Sequence, residues 1–309
     1  MSIRLAKPFC AAVARVRGQL KDRERVLFDL MCAAGQLGYR LPDDDINLRA
    51  ASGVKDPRKR LFREFPQLRR GALKTSSPKD WARASERVAR LLLTVLDVKD
   101  IDAEDRALRI LLAYAPIALA PDCAVPQDSA SRAAWNTSVK LFSKLFPSTV
   151  QSMGPLDCVH RRLVALKRES RAGLRIGRLA SGGRPGPEGR RLSVDPELIA
   201  SVGQALGKKM APGYMARHLF YARAGDHIWP HPDDPKFAVT VLVCIRHEVP
   251  PGLARRSAFV AYPPNGSIKR YDLAPGSALA VEPGMIHARE PVAEGERVAL
   301  LSIGLVEQA

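Results

Sequence analysis

The chain has 309 residues, 46% apolar and 26% charged, an ordinary balance for a soluble globular protein of one large or two medium domains. No apolar run approaches the ~18–20 residues needed to span a bilayer, and Met1-Ser2-Ile3-Arg4-Leu5-Ala6-Lys7 lacks an apolar core long enough for a secretory signal, so a cytoplasmic protein is the expectation. The net charge of +17 lies mostly before residue 200: residues 1–110 carry 24 Lys and Arg against 15 Asp and Glu, 111–199 carry 13 against 7, and 200–309 carry 12 against 10.

In chain order, residues 10–38 read as one helix, with Val13, Val16, Leu20, Val26, Leu27, Leu30, Met31 and Leu37 at roughly helical spacing. Gly38 ends it. Asp43-Asp44-Asp45 offers N-caps for a short helix to Ala51, and Asp56-Pro57 starts another that runs from Arg58 to Phe65 and stops before Pro66. Amphipathic helices follow over 80–97, 107–119 and 133–146, so the first ~150 residues are essentially all helical. Between 158 and 193 ten Lys and Arg crowd around Ser181-Gly182-Gly183-Arg184-Pro185-Gly186-Pro187, which reads as a basic linker or a substrate lid. Asp195 caps a helix to about Leu206.

From Arg217 the period changes to two. Runs at 217–223, 237–246, 256–262, 267–273, 277–282, 286–292 and 296–306, separated by turns such as Pro263-Pro264-Asn265-Gly266, predict a sandwich or jelly roll. The expected class is α+β: an all-helical region over 1–155, a basic Gly/Pro-rich linker or lid over 156–195, and a double-stranded β-helix (jelly-roll) barrel over 196–309. The five cysteines are scattered, with no Cys-x-x-Cys, which points to a reducing cytoplasm and not to a disulfide framework or zinc site.

Within the strand-rich part, His231-Pro232-Asp233 and His287 offer two imidazoles and a carboxylate. His-x-Asp places both side chains on one face of an extended segment. With the later histidine they form the 2-His-1-carboxylate set that holds ferrous iron on one face and leaves positions open for a co-substrate and dioxygen. Arg297, ten residues past His287, is placed to hold a carboxylate near the metal. His227 and His247 compete as ligands, but neither has a carboxylate two residues on. Asp234 has the wrong parity, and Trp229 and Arg289 read as core or rim packing beside the ligands, with substrate contact as the alternative. A metal-free, cupin-like barrel with chance histidines is the contrary reading of the whole set.

These residues, together with Gly225-(x)5-His231-Pro232-Asp233, Pro275-Gly276-Ser277-Ala278-Leu279, Pro283-Gly284-Met285-Ile286-His287 and Pro291-Val292-(x)2-Gly295-Glu296-Arg297-Val298-Ala299-Leu300, resemble the iron(II)/2-oxoglutarate-dependent dioxygenases, in particular the prolyl-hydroxylase-like branch, over residues 217–306. The resemblance implies an Fe(II) centre on His231, Asp233 and His287. It also implies 2-oxoglutarate held by Arg297 and Tyr221, dioxygen as oxidant, ascorbate as a supporting reductant, and hydroxylation of an unidentified substrate with release of succinate and CO2. Asp233 stands where halogenating members have a small residue, so oxidation is the implied outcome. Ala299 stands where many members have a serine. Nucleic-acid demethylases carry a second arginine six residues past the first, and here that residue is Ile303.

A second resemblance covers residues 23–66. Arg23-Glu24-Arg25-Val26-Leu27, Gly38-Tyr39, Ile46 to Ala51 with Gly53-Val54, and Leu61-Phe62-Arg63-Glu64-Phe65-Pro66 look like the helix-turn-helix head of the tetracycline-repressor family. It implies Lys55, Arg58, Lys59, Arg60 and Arg63 as contacts to DNA. The alternative function is then a DNA-binding regulator whose barrel senses 2-oxoglutarate, iron or oxygen.

Overall fold

The computed structural model describes residues 7–39, 77–96, 103–120, 125–170, 175–176 and 180–308. The helix-turn-helix expectation falls, from residue 40 onward, outside the described residues. The chain divides into two compact units: Met1–Pro147 with Pro230–Asp234 and Tyr262–Ser267, and Ser148–Trp229 with Pro235–Ala261 and Ile268–Ala309.

The first unit is helical: α1 (Lys7–Gly18), α2 (Asp22–Tyr39), α3 (Pro78–Leu96), α4 (Ala103–Ala118) and α5 (Ser129–Leu145). The single helix expected over 10–38 is two, because the chain turns at Gln19-Leu20-Lys21 and buries Leu20 in the core. Helix α3 shows why this sequence is helical. Trp81, Ala84, Val88, Leu91 and Leu92 recur at i, i+3, i+4 and i+7 and are buried, while Arg83, Arg87 and Arg90 face water. Its first turn is fixed by Ser77, whose Oγ accepts from the Asp80 amide at 3.1 Å. Helix α4 is buried from Leu108 to Ala118, as expected of a bundle's central helix, and packs against α2, α3 and α5.

The second unit is two sheets with short helices. The described strands are β1 (Val150–Pro155), β2 (Arg175–Ile176), β3 (Ala180–Gly183), β4 (Met210–Tyr221), β5 (Ile228–His231, whose last two residues belong to the first unit), β6 (Val239–Glu248), β7 (Phe259–Ala261), β8 (Lys269–Tyr271), β9 (Ser277–Val281), β10 (His287–Arg289) and β11 (Arg297–Glu307). A seven-stranded sheet runs β1-β9-β6-β11-β4-β3-β2, and a four-stranded sheet runs β5-β10-β7-β8. The pairings of β1 with β9, β6 with β9 and β11, β4 with β11 and β3, and β7 with β10 and β8 are antiparallel. The protein is thus helices plus largely antiparallel sheet, the α+β arrangement that the change of period predicts.

Two stretches differ from the expectation. Val150–Pro155, on the helical side of the expected boundary, is an edge strand on β9. The Gly-rich segment read as a linker or lid contains β3, in which Ser181, Gly182 and Gly183 lie opposite Phe220, Leu219 and His218 of β4. It also contains helices α6 (Asp157–His160), α7 (Leu163–Glu169) and α8 (Pro187–Leu192). A neighbouring strand supplies hydrogen-bond partners that local propensity does not register, and that overrides the glycines.

The central strands β6, β9 and β11 of the seven-stranded sheet are buried on both faces. Val239, Val241, Val243 and Ile245 of β6, with Ala299, Leu301, Ile303 and Leu305 of β11, pack against Leu166, Leu192, Leu198 and Val202 of the helices. The alternate residues Leu242, Cys244, Val298 and Leu300 turn inward to meet Phe259 and Ala261 of the smaller sheet. Each fully buried aliphatic chain contributes about 1.5–3 kcal/mol, so this sheet is the stable frame on which the site is built. The last helix, α9 (Pro196–Leu206), starts where predicted. Asp195 accepts from the amides of Glu197 (2.9 Å) and Leu198 (3.4 Å), and Gly207 closes the helix at φ 66°.

Candidate metal centre

Strand β5 delivers His231 and ends there, with Asp233 two residues on. Its approach is set by the turn before it. Gly225 adopts φ 83°, a conformation that favours glycine, and gives its amide to the Val292 carbonyl at 2.8 Å. Asp226 then receives the amides of Ala222 and Arg223, each at 3.1 Å, and its carbonyl accepts from Val292 at 3.0 Å. This turn fixes β5 beside β10, its neighbour in the smaller sheet.

Strand β10 carries His287. The side chain is buried, stacked on Phe259 with ring centroids 5.1 Å apart, and its Nδ1 lies 2.9 Å from the Met285 carbonyl. A carbonyl can only accept, so Nδ1 carries the proton and Nε2 the lone pair, the tautomer a metal ligand needs. His231 Nε2 and Asp233 Oδ1 are 4.0 Å apart, both half-buried. His231, Asp233 and His287 each offer a ligand atom, and those atoms lie within 4.8 Å of one another. Donors ~2.1 Å from a shared ion lie within roughly 4 Å of each other, so small side-chain rotations would close the set. Two imidazoles and one carboxylate suit ferrous iron.

The other sequence candidates fall elsewhere. His227 gives Nδ1 to the Gly225 carbonyl at 2.8 Å, and His247 Nε2 pairs with Glu296 Oε1 at 2.8 Å, so each is engaged with its own neighbour. Tyr221 is buried in the inward-facing core at the end of β4, opposite Val298. Arg297 is the exposed first residue of β11, opposite Glu248, and shares the parity of Ala299 and Leu301, which face the helices. The alternation of β11 puts Val298 and Leu300 on the inward face instead.

An arginine on the inward side is Arg289, read from sequence as packing; Arg217 of β4 shares the parity of Leu219 and Tyr221 and is half-buried. Arg289 is only 3% exposed and lies 5.8 Å from the Tyr221 ring. Its Nη2 donates to the Ser257 carbonyl (3.1 Å) and hydroxyl (2.7 Å). Burial pulls its pKa below the usual arginine value, and the neighbouring Tyr221 and Glu296 oppose that shift. Glu296 accepts from the Ser257 amide and hydroxyl at 2.8 Å each and from the Ala293 amide at 2.9 Å, in addition to His247. Burial acts to raise its pKa, but these bonds outweigh it and hold the carboxyl below its ordinary range. The signal for Arg289 was present in the sequence: two residues past His287 on one strand means the same face.

No protein-family model matches the chain, and no curated protein matches it. Similar solved structures include the non-heme alpha ketoglutarate dependent epimerase SnoN from nogalamycin biosynthesis (15% identity, 56% of this chain and 84% of that one, TM-score 0.40). They also include AviO1 from Streptomyces viridochromogenes Tue57 (13%, 52% and 91%, 0.42) and a Pseudomonas putida prolyl-4-hydroxylase (14%, 56% and 98%, 0.38). At these identities and TM-scores the functional reading rests on the side chains of the site itself.

Proposed function

We propose that this protein is an iron(II)- and 2-oxoglutarate-dependent oxygenase, built on a jelly-roll barrel, that hydroxylates a substrate whose identity is open. The observation that carries the reading is the convergence of His231, Asp233 and His287, a donor set of the type and spacing that ferrous iron takes. When bound, the ion and 2-oxoglutarate supply the oxidising chemistry, in which decarboxylation to succinate and CO2 is coupled to oxidation of the substrate by dioxygen.

The chain's own part is to hold and orient. His287 is pre-oriented by its Met285 hydrogen bond and by Phe259, so it loses little freedom on coordinating. Asp233 supplies the single negative charge of the set and offsets part of the charge of a divalent ion. Phe259, which belongs to the inward cluster with Leu242, Leu279 and Leu300, covers one face of the His287 ring. Tyr221 belongs to the same cluster and stands beside the co-substrate in this reading.

The test is turnover of 2-oxoglutarate to succinate by purified protein, aerobically, with and without Fe(II). Iron-dependent succinate formation that disappears in Asp233→Ala supports the proposal. Iron-independent turnover, or turnover that survives Asp233→Ala, overturns it.

A further inference from the structure

Arg217 is a cation of the inward face with no counter-charge beside it. It lies on β4 at the parity of Leu219 and Tyr221, which belong to the inward cluster, and it is half-buried. Burial pulls its pKa below the usual arginine value, and Tyr221 opposes that shift; no carboxylate among the described residues does so. A guanidinium stays charged and carries five N–H donors in a planar fork. Taking such a group partly out of water without an acceptor is costly, and positions of that kind are where ligands bind.

The neighbours suit an oxyanion. Ser302 stands opposite Arg217 on β11 and shares the parity of Val298 and Leu300, so its hydroxyl belongs to the same inward face. On the other side, the β3–β4 pairing ends with Gly183 opposite His218. Arg184 follows Gly183 and Arg217 precedes His218, so a second guanidinium starts from the adjoining position, and it is exposed. Like charges on facing positions of neighbouring strands repel. A ligand oxyanion placed between them removes that repulsion, and two guanidiniums with a hydroxyl are a donor set for a carboxylate or a phosphate.

The position says which reactant would bring that group. The Tyr221 ring lies 5.8 Å from Arg289, two residues past His287 on β10, and Tyr221 stands beside the co-substrate in the oxygenase reading. Arg217 is four residues before Tyr221, about 13 Å along the strand. Between the two, the face passes from 1% exposed at Tyr221 to half-buried at Arg217. Arg217 thus stands past the co-substrate, toward the solvent end of the face, where a substrate enters. We propose that Arg217, with Arg184 and Ser302, binds an oxyanion group of the substrate, so that the substrate is an acidic small molecule carrying a carboxylate or a phosphate. The inference rests on the oxygenase reading above and names its substrate class.

The experiment uses inorganic phosphate as the probe, on protein loaded anaerobically with Mn(II) and 2-oxoglutarate. A phosphate held near the paramagnetic ion has its phosphorus nuclear relaxation enhanced. Wild type should show an enhancement that saturates with phosphate. Arg217→Gln should weaken phosphate by about tenfold or more, and Arg184→Gln by about threefold, as expected of an exposed charge. Calorimetric titration with 2-oxoglutarate should stay within about threefold of wild type in Arg217→Gln. Acetate that displaces the phosphate at comparable concentration assigns the group to a carboxylate, and failure to displace it assigns a phosphate. Three results overturn the inference: no saturable enhancement in wild type, an enhancement that survives Arg217→Gln, or a loss of 2-oxoglutarate binding in that variant. If Arg217→Gln does not fold, Arg217→Met, which keeps the apolar stem, carries the same test. Wild-type protein that takes up Mn(II) but no 2-oxoglutarate would overturn the oxygenase reading itself, whereas co-substrate binding without Arg217-dependent phosphate overturns only this inference.

Discussion

The two faces of the central strands of the seven-stranded sheet are both buried, yet they do different work. On the helix-facing side, β6 and β11 present only aliphatic side chains, Val239 to Ile245 and Ala299 to Leu305, against the helices. On the inward side the same strands present Leu242, Cys244, Val298 and Leu300, with Tyr221 of β4 beside Val298, and the smaller sheet carries His287 and Arg289. One face removes apolar area from water and secures the fold. The other uses an apolar wall to surround a few polar groups, which sharpens their electrostatics. The parity of one strand thus separates an all-aliphatic face from one that surrounds polar groups.

The sharpest way to break this division is at the metal ligands. Asp233→Ala should cut succinate formation by about a thousandfold or more, while urea unfolding of the metal-free protein shifts by less than about 1 kcal/mol, because the residue is half-buried. A large loss of stability would show that Asp233 is structural.

The opposite substitution belongs on the other face. Leu301 is fully buried against the helices, and Leu301→Ala should cost about 2–5 kcal/mol of unfolding free energy. The affinity of the folded protein for 2-oxoglutarate should stay within about threefold of wild type, read by the same calorimetric titration. Equal damage to binding and stability would mean the two faces are not separable.

Acid comes next in size. Burial acts to raise the carboxyl pKa of Asp195, Glu282 and Glu290, but hydrogen bonds from Arg162, Lys208 and Arg270 respectively outweigh it, and all three sit below their ordinary range. A carboxyl whose folded pKa is depressed contributes stability that is present above its unfolded pKa and lost as pH falls through the folded one. Unfolding free energy should therefore hold from neutrality to about pH 5 and decline below about pH 4. Asp195→Asn should flatten that decline. A profile that instead falls between pH 7 and 5 would point to histidines. The smallest effect is local: Asp195→Ala removes the α9 cap and should cost about 1 kcal/mol by denaturant midpoint, plus what Arg162 loses.

The convergence of His231, Asp233 and His287 was legible because its signal is local: His-x-Asp fixes two side chains on one face whatever surrounds them, and His287 follows a Pro-Gly turn into a strand. The helix at 196–206 was legible for the same reason, as Asp195-Pro196 and Gly207 are start and stop signals in themselves. Strand β3 was not, because Gly182 and Gly183 read as a loop until β4 lies beside them. Strand β5 is too short, at four residues, to show a period. Arg297 was placed by its spacing from His287, and spacing does not say which face of β11 the residue takes.

The central claim is that His231, Asp233 and His287 hold one ferrous ion with open positions. Its most direct test is an anaerobic spectroscopic titration with Fe(II) and 2-oxoglutarate. Wild type should develop a weak visible charge-transfer band that saturates at one iron per chain, and Asp233→Ala should not. The absence of a band in the wild type, or a band that persists in Asp233→Ala, would contradict the account.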